Sequence, residues 1–207
     1  MTITRVRATL GAVDLTLEPG ELVAVCGPSG TGKTTLVNLL SGWDHPDGGT
    51  VAWDGTTNDP PPWPELTVVP QNLGLIDELN VIENITLASR NGLSLDEDRI
   101  TTVIEALGLG RLRQRSVEEI SVGERQRVMV ARALVGNPSV ILADEPVAHQ
   151  DRRNADAVMR LLRERVVQGA ACVVATRERD IAAFADRTID VSTLASYGAA
   201  RVTGPER

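Results

Sequence analysis

Long apolar runs are missing from this chain. None approaches the roughly 20 residues of a membrane span, and no early run is long enough for a signal peptide. The expectation is a soluble protein whose membrane role, if it has one, comes through a partner. Positive charge is also short: 21 Lys and Arg stand against 28 Asp and Glu, a net charge of −7 with a pI near 4.9. Nucleic-acid binding rests on Lys and Arg neutralising phosphates, so this balance argues against nucleic acid as the main partner. Cysteine is scarce. Cys26 and Cys172 each lie in a strand-like apolar run, which suits two small buried hydrophobes in a reducing cytosol better than a disulfide. No internal repeat is visible, and 207 residues suffice for one domain with an adequate core.

What the chain does carry is "GPSGTGKTTLVNLLSG", Gly27 to Gly42, set between the apolar "ELVAVC" and a helical pattern. Gly27, Pro28, Ser29, Gly30, Thr31, Gly32, Lys33, Thr34 and Thr35 match the phosphate-binding loop in its strand–loop–helix context. Such a loop turns successive backbone N–H groups inward, and the following helix adds its positive end, so a polyphosphate finds donors there. Lys33 is expected to reach the outer phosphates and the Thr34 hydroxyl to ligate Mg²⁺. The second half of this chemistry is "VILADEP": Val140 to Ala143 read as a buried strand that leaves Asp144 at its C-terminal tip, where ligands bind in open α/β sheets. Asp144 can hold Mg²⁺ through water, and Glu145 can orient or deprotonate an attacking water.

The remaining pattern places these motifs. "ITRVRATL" and "AVDLTL" read as two short antiparallel strands, and Leu22 to Cys26 as a buried strand. "GGTVAWDG" is a strand closed by an Asp54-Gly55 turn, Asp59 to Glu65 is a proline-rich loop, and "LTVVPQ" is a further buried strand. Helical periodicity runs from Asn72 to about Ser121, with Ser94 as an expected N-cap ahead of "LDEDRITTVIEALGL". "GERQRVMVARALVG" is a helix stopped at Asn137-Pro138, "DRRNADAVMRLLRERVVQG" an amphipathic helix with Gly169 after its end, and "ACVVAT" a final buried strand. "RERDIAAFADRTIDV" reads as a helix and an edge strand, and residues 192–207 carry no firm pattern. Strands alternating with helices imply a mainly parallel sheet covered on both faces, with the antiparallel N-terminal strands at one side.

With "ISVGERQRVMVARAL" upstream of "VILADEP", the chain resembles the ATP-binding cassette (ABC) ATPases over nearly its whole length. The wording is similar to stand-alone subunits of the lipoprotein-releasing and macrolide-exporting kind. The resemblance implies an α/β P-loop NTPase fold in one cassette spanning 1–207, with a helical subdomain at about 72–121. It implies ATP and Mg²⁺ as ligands and hydrolysis that powers a separately encoded transmembrane permease, which would hold the subunit on the cytoplasmic face of the cell membrane. Gln71 would be the Q-loop residue sensing the γ-phosphate and Mg²⁺. Ser121, Val122, Gly123 and Glu124 would be the signature, and Asp151 the D-loop residue connecting two sites. Each ATP would lie between the loop of one subunit and the signature of the other. The groove for a coupling helix would form over Asn72 to Leu93.

Three departures from the family pattern stand out. Val122 replaces a glycine, and a β-branched side chain restricts backbone that glycine leaves free; the reading adopted is that Val122 points away from the nucleotide. No aromatic precedes Trp43, so adenine stacking is expected to be weaker. Arg177 follows Thr176 where the family has histidine; Arg177 either keeps a γ-phosphate contact as a permanently charged donor or turns to solvent. His45 and His149 lie elsewhere in the chain. A homodimer that tolerates these changes is favoured over a heterodimer. The competing reading is an ATP-dependent clamp or regulatory subunit with slow or no turnover. The absence of an Asn-Lys-x-Asp motif argues against a GTPase.

Overall fold

The computed structural model describes residues 6–10, 13–55, 57, 65–72, 74–90 and 92–191. All but Glu65 of the expected proline-rich loop's prolines and neighbours at 59–64, and the whole 192–207 segment, lie outside the described residues. Among the described residues eight strands form two sheets. β1 (Val6–Leu10), β2 (Val13–Leu17) and β4 (Thr50–Trp53) make an antiparallel sheet in the order β2-β1-β4. β3 (Leu22–Cys26), β5 (Leu66–Val69), β6 (Val140–Asp144), β7 (Ala171–Thr176) and β8 (Arg187–Asp190) make a parallel sheet in the order β5-β6-β7-β3-β8. The antiparallel N-terminal strands form their own sheet, joined by β4. Asp54 and Gly55 close β4 with positive φ of 51° and 76°, the turn read from the Asp-Gly pair.

The two faces of the parallel sheet feed two separate cores. Val23, Val25, Val140, Leu142, Val173 and Ala175 pack with α1 (Lys33–Ser41) and with Leu15, Leu17 and Trp53 of the antiparallel sheet. Their alternating neighbours Leu22, Ile141, Ala143, Cys172 and Val174 pack on the other face, against α5 (Val122–Val135) and α6 (Arg152–Val167). Period-two alternation splits each all-apolar strand between two buried faces, so neither face could tolerate polar residues. Full burial of each such Val, Leu or Ile contributes about 1.5–3 kcal/mol. Cys26 and Cys172 are buried and not joined by a disulfide; register pairs Cys26 with Thr176 and Cys172 with Leu22, four positions apart on neighbouring strands. Burial pushes the Cys172 thiol up to about 12.

Between β5 and α5 the chain forms the short helices α2 (Val81–Ile85), α3 (Leu87–Arg90) and α4 (Glu97–Ala106); α2 and α4 pack through Val81, Ile85, Ile100, Val103 and Ile104 against α5. The cap of α4 is Asp96, not Ser94. Its carboxylate accepts from the N–H groups of both Asp98 and Arg99, and a charged acceptor at the helix N-terminus outcompetes an exposed serine two residues earlier. Asn84 is fully buried and organises the approach to α2: it accepts from Ile76 N–H and donates to the carbonyls of Ile76, Leu79 and Asn80. After β7, residues Arg179–Phe184 form a 3₁₀ helix with Ile181 N–H bonded to the Glu178 carbonyl, and β8 closes the sheet at its edge.

Candidate nucleotide site

The register of the parallel sheet brings three separated segments to one end. Cys26 at the tip of β3 pairs with Thr176 at the tip of β7, and Asp144 at the tip of β6 pairs with Ala175. The loop Gly27–Gly32, the pair Asp144-Glu145 and the Thr176-Arg177 step therefore all leave the same C-terminal edge of the sheet, where parallel strands place their ligands. Gly27 N–H bonds the Thr176 carbonyl at 3.3 Å and Glu145 N–H bonds the Ala175 carbonyl at 2.8 Å, fixing the start of each segment.

The loop depends on glycine at two positions. Gly30 and Gly32 have φ of 80° and 90°, and Gly32 is the left-handed N-cap of α1. No side chain caps α1, so the first turn's N–H groups are open to an anion. Pro28, Ser29, Gly30 and Gly32 are exposed, Thr31 donates to the Pro28 carbonyl at 2.8 Å, and Thr35 lies part-exposed in the first turn of α1. Lys33 is buried and lies across the loop, its Nζ donating to the Gly27 and Pro28 carbonyls at 2.8 and 2.9 Å. The same ammonium sits 3.9 Å from Glu145 Oε1.

Thr34 turns the other way. Its hydroxyl lies 2.6 Å from Asp144 Oδ2 and 3.4 Å from Gln71 Oε1, so residues far apart in sequence present three oxygens to one point. Asp144 Oδ1 is buried and has no hydrogen-bond partner among the described residues. Burial raises the Asp144 carboxyl above its ordinary value, with the Thr34 hydroxyl pulling the other way. Hard oxygen donors with one carboxylate oxygen left over fit Mg²⁺, which takes few protein ligands and completes its shell with water and substrate phosphates. Among the described residues no cluster of three His, Cys, Asp or Glu exists that would hold a metal by itself.

Glu145 is 5% exposed and has φ of 50°, a left-handed conformation that costs a non-glycine residue about 1–3 kcal/mol. Its carboxylate is held from two sides. Oε2 accepts from the Thr176 hydroxyl at 3.2 Å and from Arg177 N–H at 3.3 Å, and Oε1 faces Arg177 Nε at 3.5 Å as well as Lys33. Arg177 thus does not turn to solvent altogether: 55% of its side chain is exposed, but its guanidinium leans on Glu145. The buried Thr176 hydroxyl was not singled out from the sequence, although it stands at a strand tip like Asp144 and the same rule could have found it.

The signature residues stand apart from the loop. Ser121 caps α5 in a reciprocal capping box: Ser121 N–H and Oγ both donate to Glu124 Oε2 at 2.8 Å, and Ser121 Oγ accepts from Glu124 N–H. The Ser121 N–H bond and hydroxyl hold the Glu124 carboxyl below its ordinary value. Val122 occupies the first helical turn without a positive φ, so its backbone needs nothing that only glycine supplies. It is half-exposed and lines a cleft of about 290 Å³ with Gln71, Gln126, Glu145, His149 and Arg177. Asp151 caps α6, accepting from Asn154 N–H and Nδ2–H. Among the described residues no hydrogen bond or ion pair joins Ser121, Gly123, Glu124 or Asp151 to the Gly27–Thr35 segment. Trp43 is exposed at the end of α1 and lines a second cleft with Val37, Pro70 and Asp144.

A family model described as ABC transporter matches residues 10–148, which carry the loop, Gln71, the signature and both acids. The chain belongs to the ABC transporter family. It is an ABC ATPase, and its 38% identity over 194 residues with the lipoprotein-releasing system ATP-binding protein LolD of Bacteroides thetaiotaomicron covers 87% of this chain and 88% of that protein. It is 37% identical over 191 residues to the macrolide export ATP-binding/permease protein MacB of Rhodopseudomonas palustris, covering 87% of this chain but only 29% of the MacB length. A dimeric ATP-binding cassette solved in a post-hydrolysis state with ADP and Pi has a TM-score of 0.78 and 29% identity, covering 91% of this chain and 92% of that one. Asp151 and Arg177 of this ABC ATPase lie beyond the segment that the family model matches.

Proposed function

We propose that this ABC ATPase is the nucleotide-binding subunit that energises a separately encoded membrane permease, working as a homodimer with Mg²⁺-bound ATP at the cytoplasmic face of the membrane. The single observation that carries the reading is the placement of Glu145 3.9 Å from Lys33, beside the Thr34–Asp144–Gln71 oxygens. On this reading residues 1–207 act as one cassette. The Gly27–Gly32 N–H groups and the start of α1 bind the phosphates, and Lys33 exchanges its two loop carbonyls for phosphate oxygens. Thr34, Asp144 and Gln71 would hold the metal, which when bound offsets negative charge on the β- and γ-phosphates. Glu145 takes a proton from the attacking water, and Thr176 and the Arg177 N–H keep its carboxylate aimed. Ser121, Gly123 and the start of α5 supply donors to a second copy's γ-phosphate, with the Ser121 hydroxyl leaving Glu124 to do so, and Asp151 stands between the two sites. No helix among the described residues is long and apolar enough to cross a membrane.

The test compares Lys33→Ala with Glu145→Gln in nucleotide affinity and hydrolysis. Lys33→Ala is expected to lose ATP binding. Glu145→Gln should bind ATP, stop turning over and accumulate an ATP-held dimer. Parental hydrolysis by Glu145→Gln would remove Glu145 as the base, and a Glu145→Gln chain that stays monomeric with ATP would remove the homodimer.

A further inference from the structure

Gln150 has no role in the reading above, yet its amide joins two parts of the site. Its Nε2–H donates to the Gly123 carbonyl at 2.7 Å, and its Oε1 accepts from Arg127 Nη1–H at 2.7 Å. A carbonyl can only accept and a guanidinium can only donate, so the two partners together determine which way the amide points. Arg127 is 9% exposed and its Nε donates to the Leu107 carbonyl at 2.9 Å. An unbroken chain of hydrogen bonds therefore runs from the end of α4 through Arg127 and Gln150 to the first turn of α5.

Backbone packing at the same place is equally close. A Cβ on Gly123 would come within 2.9 Å of the His149 carbonyl oxygen, so the first turn of α5 approaches the 148–150 turn at a distance that only glycine permits. That turn is itself constrained: His149 has φ of 61°, Ala148 N–H bonds the Glu145 carbonyl, and Gln150 N–H bonds the Val147 carbonyl. Gln150 follows Glu145 by five positions, and its amide closes the path from the base to the signature.

We infer that Gln150 is a positioning residue that ties the signature turn of α5 to the segment bearing Glu145, so that the signature presented to a second copy's nucleotide is aligned by the chain's own base site. The inference rests on the homodimeric ATPase reading. A neutral contact would only fill space, but this amide uses both of its ends on polar groups of α5, one of them a buried cation. The residue type matters because an aliphatic side chain could meet neither group.

The experiment uses the full chain in the Glu145→Gln background, with Gln150→Leu and Gln150→Glu, and Mg²⁺ with ATP as the probe. Gln150→Leu removes both bonds without adding charge. Gln150→Glu keeps an acceptor for Arg127 but cannot donate to Gly123, and it is expected to melt close to the parent. Both variants should speed hydrogen exchange across residues 121–127 and raise the ATP concentration for half-maximal dimerisation, each at least tenfold. The ATP affinity of the monomer should stay within twofold, because the phosphate loop is untouched. Parental exchange and dimerisation in either variant overturn the inference, as does a loss of dimerisation matched by equal losses of ATP affinity and melting temperature. If the Glu145→Gln parent itself does not dimerise, the homodimer fails, and the exchange of 121–127 alone decides whether Gln150 aligns the signature turn.

Discussion

Replacing Arg177 by alanine sets two effects of opposite sign against each other, and the structure allows both to be sized. The Arg177 guanidinium lies 3.5 Å from the buried Glu145 carboxylate. At an effective dielectric near 20 two unit charges at that separation interact by roughly 5 kcal/mol, but this is an upper bound. The Arg177 side chain is 55% exposed, and screened pairs of that kind measure about 0.2–1 kcal/mol. Freeing Glu145 therefore speeds proton removal by at most about fivefold. Against this stands, on the reading of Arg177 as a phosphate donor, the loss of a charge-assisted contact to the γ-phosphate. Hydrogen bonds to charged groups contribute about 1.5–3 kcal/mol, or roughly tenfold to 150-fold in rate. The phosphate contact wins, and Arg177→Ala should hydrolyse ATP roughly threefold to thirtyfold more slowly. Arg177→His should recover part of the loss, since imidazole can still donate to phosphate. The assay is steady-state phosphate release at saturating Mg²⁺-ATP, for the chain alone and with its membrane partner. A parental or faster Arg177→Ala enzyme would refute the reasoning and make Arg177 a restraint on the base.

Two further perturbations probe the scaffold that carries the site. Asn84→Ala removes a fully buried amide and takes away the partners of the Ile76 N–H and the Leu79 carbonyl, while the Ile76 carbonyl keeps the Leu79 N–H; it should destabilise the chain by about 1–3 kcal/mol, read in denaturant melts, and unchanged stability would mean that water replaces the amide. Asp186 receives a two-point contact from Arg163 and accepts from Leu22 N–H at 2.8 Å, and the Arg163 bond first, then the Leu22 bond, lowers its carboxyl from the ordinary value. Because the folded value is the lower one, this contribution is present above the unfolded carboxylate range near pH 4 and is lost as pH falls through the folded value. The melting difference between parent and Arg163→Ala should accordingly hold from pH 8 to about 5 and shrink below about 4; a difference that stays constant to pH 3 would contradict the pairing.

Much of the fold was legible because its signals are local. The all-apolar strands Leu22–Cys26, Val140–Asp144 and Ala171–Thr176 announce a sheet buried on both faces, and the strand–loop–helix context of Gly27–Thr35 announces a phosphate cradle. The helical segment after Asn72 was read too regularly. Its organisation depends on Asp96 as a cap and on the buried Asn84 amide, and a side chain's hydrogen-bond partners are not written in hydrophobic periodicity.

By itself the sequence determined which residue types could serve a nucleotide and in what order they come: the loop, the signature stretch at Ser121, the acids after a buried strand. Periodicity and spacing act over a few residues, so they need no folded chain to be read. Only the tertiary structure decided what meets what across long separations. Thr34 and Asp144 are brought to 2.6 Å by the parallel register of β3, β7 and β6, and Glu145 is clasped by Thr176 and Arg177 from the neighbouring strand. The partner of the N-terminal pair was settled the same way, since β1 finds its partners in β2 and β4 rather than in the parallel strands. Gln150 shows the same limit most plainly: its meaning lies in a carbonyl 27 residues upstream that the fold carries to within 2.7 Å of its amide, and pairings of that range are chosen by the packing of whole elements rather than by any local propensity.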